Sequence, residues 1–142
     1  MSRKHTAALV ALVSASALGA KFYPGKVPLV DGKPQTGPYA VFYPQNGTDR
    51  QTRHTGPALQ QNPRWTIHCV GSTEDQAEWV NEQIKGALIV NGFGVVPVIA
   101  GENPGRFWYS NPLPVDRDDD ATPSLFDVVA ECGFSSETAL SI

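Results

Sequence analysis

The sequence predicts an α+β fold: a mainly antiparallel or mixed sheet of about five strands, with two helices packed on one face. Three observations carry that expectation. Apolar side chains recur at every second residue in Trp65, Ile67 and Cys69, with Thr66 and His68 between them, which is the period of a half-buried strand. The period then switches to three and four through Ala77, Val80, Ile84, Ala87 and Leu88, the stripe of an amphipathic helix. Along the chain the order is helix, strands, long loop, strand, helix, strands, an arrangement that collects the helices on one side of the sheet.

Each element has its own signal. Residues 1–20 read as a first helix, because Leu9, Leu12, Val13 and Ala17 sit at helical spacing and Gly19 can end it. The same stretch mimics a secretory leader, with Arg3-Lys4-His5, an apolar run to Ala20 and small residues at Ala15-Ser16-Ala17. It is too short and alanine-rich to span a bilayer. Pro24, Gly25, Pro28, Gly32, Pro34 and Gly37 then leave room only for short extended pieces, around Lys21 to Tyr23 and Val27 to Val30. Tyr39 to Tyr43 is a compact apolar strand. Asn46-Gly47 beyond it is a hairpin-turn signal, since both residues accept positive φ. Asn46-Gly47-Thr48 also matches a glycosylation acceptor. Residues 48–62 carry almost nothing apolar but include Arg50, Arg53 and His54, and read as a long solvated loop.

The second helix has a specified start. Ser72 or Thr73 can cap it, Thr73 and Gln76 have the spacing of a capping box, and Glu74 and Asp75 oppose the positive end of the helix dipole. Asn91-Gly92 offers a left-handed stop. Gly86 inside the helix costs about 1 kcal/mol relative to alanine and suggests close packing. Val95, Val96, Val98 and Ile99, interrupted by Pro97, suit an edge strand, and Phe107-Trp108-Tyr109 suits another, with Pro104-Gly105 turning into it. Asn111 to Val115 is extended by its prolines, Ser124 to Cys132 is the last strand, and residues 135–142 are expected to be a mobile tail.

Length and composition bound the function. The 142 residues fit one domain, 1–142. Charged residues are 18%, against about 25% in typical globular proteins, so part of the surface is expected to be buried against neighbours. A net charge of −3 with thinly scattered basic residues argues against a nucleic-acid-binding module. Cys69 and Cys132 lie in apolar runs and read as buried thiols, with a disulfide open if their strands are neighbours. There is no CxxC, and His5, His54 and His68 are too far apart in sequence to suggest zinc. No G-x-S-x-G occurs, while Pro24-Gly25-Lys26 and Gly92-Phe93-Gly94 are ordinary turns rather than phosphate or dinucleotide loops. Asp116-Arg117-Asp118-Asp119-Asp120 is the best cation candidate, but it lacks the alternating ligands, bend glycine and distant glutamate of a calcium loop. It reads as an acidic loop facing water or a basic partner. No catalytic, cofactor-binding or metal residue is assigned, and the expectation is a protein that is not an enzyme.

The amphipathic first helix, Tyr39-Ala40-Val41-Phe42-Tyr43, the run from Arg64 to Thr73 leading into Gln76-Ala77-Glu78-Trp79, and Pro114-Val115-Asp116-Arg117-Asp118-Asp119 together resemble tail terminator proteins of long-tailed, siphovirus-type bacteriophages. The match covers most of the chain, and neighbouring head–tail joining proteins share parts of it. The resemblance implies a small α+β structural virion protein, assembled in the host cytoplasm. It would form a homohexameric ring at the head-proximal end of the tail tube, end tube polymerisation and provide the head-attachment interface. Its partners would be the tail tube protein and the head–tail connector proteins, with no membrane, and DNA would pass through the lumen without specific binding.

Three residue groups suit those roles. Phe107, Trp108 and Tyr109 suit a subunit interface, their competing role being to fill the subunit's own core. Arg50, Arg53 and His54 suit a loop touching the tube or connector. Asp116, Asp118, Asp119 and Asp120 suit the lumen, where carboxylates repel phosphates. Charge reversal at Asp118, Asp119 and Asp120 is then expected to slow or block DNA passage, and unaltered infectivity would dismiss the assignment. Two alternatives stay open. One is another ring of the same neck; the other is a small secreted enzyme or binding protein, if residues 1–20 are a signal peptide and the cysteines pair.

Overall fold

A computed structural model describes residues 3–19, 21–25, 29, 32, 37–50, 60–118 and 125–138. In chain order they form α1 (Arg3–Ser14), β1 (Phe22–Pro24), β2 (Tyr39–Arg50), β3 (Gln60–Gly71), α2 (Glu74–Leu88), β4 (Ile89–Val90), β5 (Phe93–Gly94), β6 (Glu102–Pro104), β7 (Trp108–Ser110), β8 (Asp116–Asp118), β9 (Leu125–Gly133) and β10 (Ser136–Thr138). Two helices and a mixed sheet make the α+β fold that the periodicities predict.

The sheet has eight strands among the described residues and is organised around β3. One edge of β3 pairs with β2 from Val70 towards Gln60, and the other pairs with β9 and, at Gln60 and Gln61, with β10. The far edge of β9 takes β7 and β8, and the far edge of β10 takes β6. Only β1 runs parallel to its neighbour, with Phe22 beside Ala40. The sequence predicts fewer strands because β1, β6, β7, β8 and β10 have three residues each, too few to display a period.

Alternation decides which side chains form the core. Ala40 and Phe42 of β2, Trp65, Ile67 and Cys69 of β3, and Val128, Ala130 and Cys132 of β9 face the helices. There they meet Leu9 and Val13 of α1 and Ala77, Val80, Ile84 and Leu88 of α2. Phe22, Phe107 and Phe134 complete that layer. Burial of Leu9, Val13 and Leu18 makes the first helix and the turn after it part of the core.

Several expectations are corrected. Asn46-Gly47 does not turn the chain: the β2–β3 ladder continues from Gln45↔Arg64 to Thr48↔Asn62 with a register shift between them, so the two residues form a bulge in a longer hairpin. The expected loop 48–62 is strand at both ends, and residues 51–59 lie outside the described residues. Asn91-Gly92 does not end α2, which stops at Leu88. Instead Asn91 (φ 53°) and Gly92 (φ 79°) make the two-residue turn between β4 and β5, where both central residues need positive φ. Val95 to Ile99 forms no strand, although the Val95 N–H donates to Leu88 O and its carbonyl accepts from Phe107 N. Of the expected tail 135–142, Ser136 to Thr138 form a strand between β3 and β6, with Ser136 buried, and residues 139–142 lie outside the described residues.

Candidate functional site

The predicted aromatic flank is divided by the pleat. Phe107 is 3% exposed, with its ring 4.9 Å from that of Phe134 and 6.3 Å from that of Trp65, so it belongs to the core and cannot meet a neighbouring subunit. Tyr109 lies beside Cys132 and packs on the same core, and its hydroxyl donates to Asn81 Oδ1. Burial pushes its phenol above the ordinary value, and the nearby thiols add to the effect. Trp108 alone turns outward, 38% exposed, with the Arg64 guanidinium 5.3 Å from its ring centroid.

The basic and acidic candidates lie only partly within the described chain. Arg50 ends β2 opposite Gln60, whereas Arg53 and His54 are outside the described residues. Asp116 and Asp118 are in β8, opposite Asp127 and Leu125, and Asp119 and Asp120 are outside. The segment predicted as a loop is therefore a strand at its start, held by β9 pairing and by Arg117 over the Phe126 ring at 6.0 Å.

Two polar clusters were not predicted. On the sheet face opposite the helices, His68 Nδ1 lies 2.7 Å from Asp127 Oδ2. A carboxylate only accepts, so Nδ1 carries the proton. The Tyr43 ring stands edge-on to this imidazole at 5.7 Å, and Gln45 Nε2 donates to Thr66 Oγ1 at 2.5 Å. Residues 66 and 68 are the polar half of the alternation, which marks their face, but nothing local marks Asp127 as the partner.

The second cluster ties α1 to the end of the sheet. His5 is fully buried and donates to Glu102 Oε1 at 2.8 Å, Ser136 Oγ donates to the same oxygen at 2.6 Å, and Lys4 Nζ lies 2.8 Å from Glu102 Oε2. Burial alone raises this carboxyl, but the hydrogen bonds from His5, Lys4 and Ser136 outweigh it and hold the group at about 2. His5, Leu9 and Val13 recur every fourth residue, which was the available signal for the buried histidine.

The thiols are free and buried. Cys69 lies opposite Val128 and Cys132 opposite Trp65, so the run from 65 to 69 separates them, roughly 13 Å of strand. That exceeds the ~7 Å between Cα atoms that a disulfide spans. Burial pushes Cys132 up to about 12 and raises Cys69 further, helped by the charge of Asp127, which keeps both as inert thiols. No group of three His, Cys, Asp or Glu among the described residues is arranged to hold a metal ion. No described helix is long and apolar enough to cross a membrane.

The two most exposed of the large apolar side chains described lie elsewhere. Phe93 is 65% and Val98 95% exposed, and Val90 and Val96 accompany them. Arg106 stands over Phe93, 5.5 Å from the ring centroid, and its Nη1 donates to Gly94 O at 2.9 Å. Beside this ridge, a groove of about 740 Å³ separates the C-terminal halves of α1 and α2.

No protein-family model matches the chain, and no curated protein matches its sequence. Its fold does recur among solved structures. One similar chain belongs to the virion of a native gene transfer agent particle, with 18% identity and a TM-score of 0.52 over 89% of this chain and 84% of that one. Another, known only by a sequence identifier, has 16% identity and a TM-score of 0.51 over 100% of this chain and 99% of the other. At these identities, the chain shares its fold with a component of a virion over nearly its whole length.

Proposed function

We propose that the protein is a structural subunit of a phage-like virion. In this reading it forms a ring, a hexamer, at the head-proximal end of the tail tube, where it ends tube polymerisation and presents the surface to which the head attaches. The observation that carries it is the near full-length fold likeness to a chain of the gene transfer agent virion. The tail terminator resemblance supplies the finer role. Burial of α1 in the core and the separation of the thiols both count against a secreted, disulfide-linked protein. The role is architectural rather than catalytic and needs no cofactor.

A ring also makes physical sense of the surface. Closed cyclic symmetry joins one patch of each subunit to a different patch of the next, which covers apolar groups that a lone subunit leaves in water. Trp108, the outward member of the aromatic strand, suits such a contact. Asp116, Asp118, Asp119 and Asp120 suit the lumen, repelling DNA that has to pass without sticking. Arg50, Arg53 and His54 suit contact with the tube or a connector protein.

The test is co-expression with the tail tube protein, followed by electron microscopy. Tubes of uniform length with this subunit at one end are the expected product. Unlimited tubes with free subunit would count against termination, and subunits bound to connector rather than tube would indicate a different ring of the neck.

A further inference from the structure

Gly86 occupies an exposed position in the interior of α2, although glycine is the poorest helix former after proline. A Cβ at that position would meet nothing within 4 Å, so the packing of this subunit does not require the missing side chain. It lines the groove between the helices together with Leu12, Ala15, Ala87, Val95 and Glu82, the last being the one charged residue of that lining. Beside the groove stands an aromatic knob, Phe93, with a single positive charge, Arg106, against its ring. Val90 joins the two, since it lines the groove and pairs with Phe93 across the hairpin.

We propose that this groove receives the β4–β5 hairpin of a second copy of the chain, Phe93 seating over Gly86 and Arg106 meeting Glu82. Charge complementarity selects that occupant: Glu82 is the groove's one charged lining residue, and the chain carries a knob, Phe93, whose neighbouring charge, Arg106, is basic. Small residues at 15, 86 and 87 allow the ring to approach the helix backbones closely. The inference goes beyond the ring reading and does not depend on it for closure: Val90 belongs to both groove and hairpin, so two copies meet here reciprocally, each hairpin in the other's groove.

The test compares wild type with Phe93→Ser, Gly86→Trp, Glu82→Arg, Arg106→Glu and the Glu82→Arg/Arg106→Glu double variant, each with and without the tail tube protein. Self-association is read by mass photometry, capping by electron microscopy and folding by thermal melting. Each single variant is expected to weaken self-association by about tenfold or more while its melting temperature stays near wild type, because all four positions are exposed. The charge-swapped double variant is expected to recover much of the loss. Gly86→Ala is expected to raise the melting temperature of the isolated subunit while weakening association, a divergence that a role in folding alone would not produce. Wild-type assembly unchanged by Phe93→Ser and Gly86→Trp overturns this contact and leaves the ring reading standing. Wild-type assemblies that fail to cap tubes, yet lose association in the variants, overturn termination and support the contact. A wild-type protein that never self-associates overturns both.

Discussion

Glu102 joins α1, β6 and β10 through Lys4, His5 and Ser136. Its carboxyl ionises at about 2 rather than the ordinary 4.5, so folding favours the charged form. Stabilisation from this group is complete above about 4.5 and is lost as pH falls from there through 2. Glu102→Gln is therefore expected to destabilise the protein near neutrality and to flatten the decline of the urea midpoint between pH 5 and 2, measured by tryptophan fluorescence. Cys69 and Cys132 make the opposite case, as two groups that burial makes unreactive. A thiol reagent such as Ellman's is expected to modify neither in the folded protein at pH 8 and both in urea, whereas rapid labelling of either in the native state would contradict their placement. Gly94 shows how a single missing carbon positions an element. A Cβ there would fall 1.9 Å from the Phe107 carbonyl oxygen, so only glycine lets the hairpin approach the strand that delivers Phe107 to the core.

The start of α2 was legible from sequence almost atom by atom. Thr73 accepts from Gln76 N at 3.2 Å, while the Gln76 side chain takes Ser72 N at 3.0 Å, a capping box with its return bond one residue earlier than the usual form. Thr73→Ala is expected to cost about 1 kcal/mol, read as a lower denaturation midpoint with unchanged slope. The two Asn-Gly pairs teach the opposite lesson. Both offer positive φ, and local chemistry cannot say what the chain does with it. After β2, continued pairing of Thr48 to Arg50 with Gln60 to Asn62 absorbs the pair as a bulge. After α2, the pairing of Ile89 with Gly94 makes it a hairpin turn. The long strands and the buried face of α2 were readable because their periods span many residues. Phe107, Trp108 and Tyr109 were readable as a strand, but their division between core and surface was not, because it depends on the register of β7 against β9. The His5–Glu102 and His68–Asp127 pairs join residues distant in sequence, and neither has a local signature.

For the whole molecule, the main fact is that the most heavily paired strand relies on partners from distant parts of the chain. β3 is flanked by β2 on one side and by β9 and β10 on the other. A chain ending at Phe134 is therefore expected to lose far more than a frayed end. Without β10 the main-chain groups of Gln60, Gln61 and β6 lose their partners, and Glu102 loses the Ser136 hydroxyl. Such a truncation is expected to lower stability by about 3 kcal/mol or more and to broaden the unfolding transition, measured by urea titration. The same topology has a consequence during synthesis. Once Gly71 has been translated, the ribosome must still add the stretch up to Thr138 before the sheet can be completed, on the order of 3–15 s at ordinary elongation rates. Through that interval one border of the longest hairpin stays bare, its amides and carbonyls unmet, and the nascent polypeptide is most open to mispairing with other unfinished chains.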